Sequence, residues 1–220
     1  MTNTFICKIV ALAAAAVISL SPTSAFAGAD AFNRAVLGPN WVATKGGVKI
    51  HNHELVGTSN ESLAYFKSSA HDTAASAVVE LGGTDLEYGA VALGNIAGGS
   101  NAFVKIQSQN GVGTFDHAAF YTGNNGSGDF FALSSPVPSP AILDVFFCGT
   151  TATMRITSAA GIQIYTFNYG TTFGGGNGLG TYGSVGLDNY IGFFSGCKDA
   201  PTGGVPATDM PADRDLSLAK

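Results

Sequence analysis

From residue 28 onward the apolar positions of this chain recur with a period of two. The clearest run is Thr151-Ala152-Thr153-Met154-Arg155-Ile156-Thr157. In an extended chain Ala152, Met154 and Ile156 share one side, and the threonines and Arg155 share the other. Residues 158–161 supply turn chemistry, and Ile162-Gln163-Ile164-Tyr165-Thr166-Phe167 continues the alternation, which predicts a hairpin. Further strands are predicted over 63–66, 77–81, 87–93, 102–107, 114–121, 129–133 and 142–147. Breaks fall at Gly82-Gly83, Gly98-Gly99-Ser100, 123–128 and 136–140, and the glycine-rich stretch 174–183 reads as a loop. Short strands with a polar and an apolar face, separated by such turns, indicate an all-β, two-sheet antiparallel β-sandwich. No fixed-period repeat points to a propeller or solenoid.

The stretch from Asp30 to Leu55 organises the rest. A short strand opens, Gly38-Pro39 turns the chain, Trp41 enters the next strand, and Val48, Ile50 and Leu55 run through a hairpin. Near the other end, Gly186-Leu187-Asp188-Asn189-Tyr190 begins a strand expected to return and pair with this opening.

The ends of the chain differ from its middle. Lys8, a twelve-residue apolar run over 9–20 and the small-x-small pattern Ala25-Phe26-Ala27 make residues 1–27 an expected signal peptide. Twelve apolar residues are too few for a membrane span, which needs about 20. Residues 28–197 are the expected sandwich domain. Residues 198–220 combine three prolines and seven charged residues with few bulky apolar side chains, and are expected to form a flexible tail. The expected location is secreted or periplasmic.

Composition narrows the function. Loss of Lys8 with the leader leaves nine basic against fifteen acidic residues, which opposes non-specific nucleic-acid binding. Charged residues make up 11% of the chain and hydrophobic ones 45%, a balance that suits a turn-rich β protein. Cys7 leaves with the leader. Cys148 and Cys197 then remain in an oxidising compartment, where a disulfide is the natural reading and would tie strand 142–147 to the end of the domain.

Asp30-x-Phe32-Asn33-Arg34, Leu37-Gly38-Pro39-Asn40-Trp41 and Ile50…Leu55 together resemble the opening of bacterial concanavalin A-like (laminin-G-like) jelly-roll domains. Gly186-Leu187-Asp188-Asn189-Tyr190 resembles the last strand of that fold, and Met154-Arg155-Ile156 with the Gly161 hairpin resembles its central paired strands. The similarity covers most of residues 30–194, and its motifs are structural. The superfamily includes carbohydrate-binding modules, glycan hydrolases and adhesive domains, so the resemblance implies the fold more than any activity. It also implies a structural calcium ion, held in similar jelly rolls by an acidic residue of the final strand and by backbone oxygens near the domain start. Asp188 and Asp30 occupy those positions. Asp188 accepting backbone amides in a turn is the alternative.

The hydrolases of this superfamily carry closely spaced carboxylates on one strand, as a retaining glycosidase needs two about 5–5.5 Å apart. This chain offers Glu80, Asp85 and Glu87, with Gly82-Gly83 placing Glu80 on another strand. His51-Asn52-His53 has a spacing that can serve a metal, with Glu54, His71 or His117 as further ligands. A polar hairpin tip explains the same residues and is the preferred reading, since Asn favours turns. Gly178-Leu179-Gly180-Thr181-Tyr182-Gly183 matches a phosphate-binding pattern without the strand and helix that pattern requires. Among the aromatics, Tyr165 and Tyr169 are the expected ligand-binding pair, because exposed rings stack on sugars while hydroxyls tolerate water. The expected function is a secreted non-catalytic binding module for a carbohydrate or cell-surface glycan. A glycan hydrolase or lyase of the same fold, or an extracellular structural or adhesive protein, are the alternatives.

Overall fold

The structure is a computed structural model and describes residues 26–67, 73–84, 86–95, 100–109, 113–123, 126, 128–174, 176–193, 201 and 205–206. The period-two pattern becomes two sheets whose inner faces share one core. One sheet contains β1 (Phe26–Asp30), β3 (Val48–His51), β4 (Glu54–Gly57), β6 (Ala74–Glu80), β11 (Ala141–Cys148), β12 (Thr151–Ser158), β13 (Gly161–Asn168), β15 (Gly186–Phe193) and β16 (Val205–Pro206). The other contains β2 (Trp41–Lys45), β5 (Glu61–Phe66), β7 (Glu87–Asn95), β8 (Ser100–Ser108), β9 (Thr114–Thr122), β10 (Gly128–Pro138) and β14 (Asn177–Tyr182). Their orders are β16-β13-β12-β11-β6-β15-β4-β3, with β1 also on β15, and β10-β9-β8-β7-β14-β5-β2. Neighbours run antiparallel except for the β13–β16 pair. Among the described residues no helix is long and apolar enough to cross a membrane.

The sandwich reading and its best hairpin hold. Ala152, Met154 and Ile156 are buried, and β12 pairs with β13 from Thr151↔Asn168 to Ser158↔Gly161. Arg155 lies on the opposite side and donates to Asp144 at 2.8 Å. The closing strand does return to the opening one, with Asp30 opposite Tyr190. Trp41 packs there against Phe32, Phe66 and Tyr190 at centroid distances of 5.6, 5.1 and 4.9 Å. Apolar burial of this kind, along with Leu55, Leu179 and Leu187 from both sheets, carries most of the stability.

Two expected breaks are corrected. The stretch 174–183 is not simply a loop, because Asn177–Tyr182 forms β14 between β5 and β7. Nor does Pro136 end its strand: β10 runs on to Pro138, with a register shift between Ala132 and Val137. A proline is tolerated there because β10 is an edge strand and the missing N–H falls in an irregularity. At the termini, β1 begins at Phe26, inside the expected leader, and the expected tail contributes β16, whose Val205 pairs with Tyr165.

Candidate functional site

A sheet with one face on the core and one on solvent should be polar outside. The seven-stranded sheet departs from that rule. Its inner face supplies Val91, Leu93, Val104, Ile106 and Leu179 to the core. The opposite parity carries a second apolar cluster of Leu63, Tyr88, Ala90, Ala92 and Phe103, onto which Tyr65, Tyr121 and Tyr182 pack half-buried.

Strand register turns these residues into three parallel rows across the outer face. One row runs from Glu61 through Tyr182, Tyr88 and Gln107 to His117. The next runs from Leu63 through Gly180, Ala90, Lys105 and Ala119 to Phe130. The third joins Tyr65, Gly178, Ala92, Phe103 and Tyr121. The glycines of β14 make the middle shallow. A Cβ at Gly180 would lie 2.9 Å from the Phe103 ring, so the absence of a side chain lets that ring lie across the strand. Tyr88 and Tyr182 stack at 5.4 Å, and the His117 ring stacks on Phe130 at 5.0 Å.

Polar groups punctuate this aromatic surface. Lys105 Nζ lies 4.3 Å from the Tyr88 ring centroid, 5.4 Å from Tyr121 and 5.6 Å from Phe130, and donates to Gln107 Oε1 at 2.7 Å. Desolvation lowers its pKa to about 8, with Glu61 acting in the opposite sense. The Tyr88 hydroxyl donates to Glu61 Oε1 at 2.9 Å, and Lys45 forms an ion pair with the same carboxylate. Burial first, and then Glu61, push the Tyr88 hydroxyl pKa up. Burial, then Asp129, does the same to Tyr121. His117 Nδ1 lies 2.8 Å from Asp116 Oδ1. At one end of the face, Tyr182 also borders a cleft of about 450 Å³ lined by Ser59, Asn60, Thr84 and Ser184.

The residues expected from sequence are distributed elsewhere. Tyr165 is corrected: it is 1% exposed, and its ring meets Phe131 at 5.1 Å between the sheets. The hydroxyl that suggested exposure is satisfied internally, by the Ser134 amide at 2.9 Å and by Gln163. Tyr169 is half-buried in an aromatic group with Phe147, Phe167 and Phe173, and burial raises its hydroxyl pKa. Neither tyrosine lies on the outer aromatic face.

Asp30 does not fit a calcium shell. Its oxygens accept from Arg34 Nη1 at 2.6 Å, Arg34 Nη2 at 2.5 Å, Trp41 Nε1 at 2.8 Å and the Phe32 amide at 2.8 Å. Burial alone would raise this carboxyl, but the Arg34, Phe32 and Trp41 hydrogen bonds outweigh it and hold the pKa below the ordinary range. A cation would have to displace the guanidinium. Asp188 lies within β15 and accepts from the amide and side chain of its neighbour Asn189. Among the described residues no group of three or more His, Cys, Asp or Glu is arranged to hold a metal.

The other candidates separate too. Asn52 and His53 have φ of 51° and 69° and form the tip between β3 and β4, while His117 lies in the other sheet. His71, Asp85 and Cys197 lie outside the described residues, and Cys148 closes β11. Glu80 and Glu87 are on different strands, as the glycine pair implied. Glu87 is fully buried and accepts from Gly83 N at 3.0 Å, Thr84 Oγ1 at 2.8 Å and Ser184 N at 3.2 Å, so it fastens two turns. The sequence reading missed Tyr65, Tyr88, Lys105 and Tyr182. Their signal was strands apolar at both parities, such as Tyr88-Gly89-Ala90-Val91-Ala92-Leu93.

No protein-family profile and no curated protein sequence matches the chain. Solved structures do match in fold. The carbohydrate binding module CBM66 from Bacillus subtilis is 13% identical at a TM-score of 0.51, covering 69% of this chain and 93% of that one. The CBM2 module of the evolved Dit of Lactobacillus casei BL23 phage J-1 is 12% identical at 0.51, covering 76% and 95%. The catalytic domain of an endo-1,3-beta-glucanase (laminarinase) from Thermotoga petrophila is 12% identical at 0.52, covering 78% and 98%.

Proposed function

With the concanavalin A-like jelly roll as its fold, we propose that this chain is a non-catalytic glycan-binding module that receives its ligand on the outer face of the seven-stranded sheet. The reading takes the protein as exported after loss of residues 1–27, with Cys148 and Cys197 joined. One observation carries it: a solvent-side sheet face built of tyrosines where ordinary patterning demands polar residues. Sugar rings present C–H faces that pack on aromatic planes while their hydroxyls stay hydrated, and tyrosine suits that divided environment. Carbohydrate-binding modules among the structures of like fold support the reading.

Retaining hydrolysis needs two carboxyl groups about 5–5.5 Å apart. The described part of this face offers Glu61 at one rim, already engaged by Lys45 and Tyr88, and Asp116 beside His117 at the other. Their strands stand four spacings, or about 19 Å, apart. That favours binding over cleavage. The test is a glycan array run beside a reducing-sugar assay on every glycan that binds. Binding without release of reducing ends is expected. Tyr121→Ala and Tyr182→Ala should each weaken it about tenfold, the loss of roughly one aromatic stacking contact. Full affinity in both variants would move the site away from this face.

A further inference from the structure

Lys105 is the one feature of the outer face that neutral-sugar binding leaves unexplained. Its ammonium is half-buried at the centre of a sheet, ringed by Tyr88, Tyr121 and Phe130. Taking a charge out of water is costly unless an opposite charge meets it. Among the described residues no carboxylate makes an ion pair with Lys105. Glu61 acts on it only through space, its own oxygens taken by Lys45 and the Tyr88 hydroxyl. Gln107 satisfies one N–H, and the aromatic faces offset part of the remaining desolvation.

A lysine that only covered apolar surface would extend its ammonium to water. This one keeps it among rings, at a pKa lowered toward neutrality by burial. The position also suits a ligand. A sugar stacked on the half-buried Tyr121 has its ring substituents several ångströms from the stacking axis, and Nζ stands 5.4 Å from that centroid. An anionic substituent on that sugar therefore falls beside the ammonium and supplies the missing counter-charge.

We propose that the outer face of the seven-stranded sheet selects an acidic glycan, one bearing a carboxylate or sulfate ester, and that Lys105 Nζ receives the anionic group. This rests on the glycan-binding reading. It adds a charge requirement in a chain whose net charge of −5 would otherwise disfavour acidic ligands.

The test is calorimetric titration of the full exported chain with two oligosaccharide sets. The first holds hexuronate hexasaccharides (galacturonate, alginate and hyaluronan types), each beside its carboxyl-reduced neutral counterpart. The second holds sulfated galactan hexasaccharides beside their desulfated forms. At least one acidic member should bind about tenfold or more tighter than its neutral partner, as loss of a charge-assisted contact implies. The set in which this occurs identifies the anion. Lys105→Met should erase the preference, and Lys105→Arg should retain most of it. Melting curves on all variants check folding, and the paired ligands test wild type without any substitution. Neutral and acidic partners binding wild type equally would overturn the charge requirement and leave glycan binding standing. A folded Lys105→Met that keeps the preference would remove Lys105 from the role. Binding of no member, while the array also stays blank, would overturn both readings.

Discussion

Glu54 stands on the outer face of the nine-stranded sheet with its carboxyl over Gly186, where any Cβ would collide with it. Burial raises its pKa to about 7, and charge repulsion from Glu80, a hydrogen bond shared with Glu80 and the field of Asp188 add to that. His51, opposite Glu54 in the β3–β4 ladder, is exposed. The sign follows from proton uptake. An unfolded glutamate titrates near 4.5 and this one near 7, so between those values the folded chain holds more protons than the unfolded one. The relative stabilisation is complete below about pH 4.5 and is lost as the pH rises through about 7. Glu54→Gln should therefore gain stability over wild type at pH 8, and the difference should vanish near pH 4. Because the site is only partly buried, solvent screening reduces the expected gain to about 1 kcal/mol. Urea melts of both proteins at the two pH values measure it. An unchanged difference between pH 4 and pH 8 would show that Glu54 titrates normally.

At the scale of elements, strands apolar at both parities, over 87–93 and 102–107, were legible as strands but not as to which face meets the core. The glycine-rich strand with no clear parity was missed. Met154 and Ile156 declared β12 because their neighbours are polar. Tyr88, Ala90 and Ala92 are apolar opposite a parity that also reaches the core, so the alternation that identifies a face is lost. Asn177–Tyr182 carries two glycines, which read as punctuation although the strand sits between two partners. Phe103 is the physical reason for those glycines, since its ring crosses β14 where Gly180 leaves room. Tyr165 misled for a related cause: a phenol hydroxyl suggests water, yet Ser134 and Gln163 satisfy it inside. For Gly180→Ala two effects compete. Relief of glycine's backbone entropy gains about 0.5–1 kcal/mol. Pressing a Cβ to 2.9 Å from a ring that is 1% exposed costs about 1–3 kcal/mol, and this is the larger. The variant should melt roughly 2–4 °C lower for a domain of this size. A melting temperature at or above wild type would mean that Phe103 has room to move aside.

For the whole molecule, the fold gives the expected disulfide a geometric argument that spacing in the sequence lacked. In the nine-stranded sheet Ala74 of β6 pairs with Phe146 of β11 on one side and with Phe193 of β15 on the other. The ends of β11 and β15 therefore stand two strand spacings apart, about 10 Å. Cys148 lies two residues past Phe146, and Cys197 lies four residues past Phe193. Four extended residues reach about 13 Å, so the chain after β15 is long enough to bring the second sulfur across β6 to the first. Joining them closes a loop of about 50 residues, for which chain entropy gives about 4 kcal/mol of stabilisation. The exported protein, denatured and alkylated without reductant, should take up no label at Cys148 or Cys197, and should take up two labels after reduction. Reduction should also lower its melting temperature by roughly 8–16 °C, the same energy expressed at this chain length. Labelling of both cysteines before reduction would break the pair and leave β15 tied to the sheet by its ladders alone.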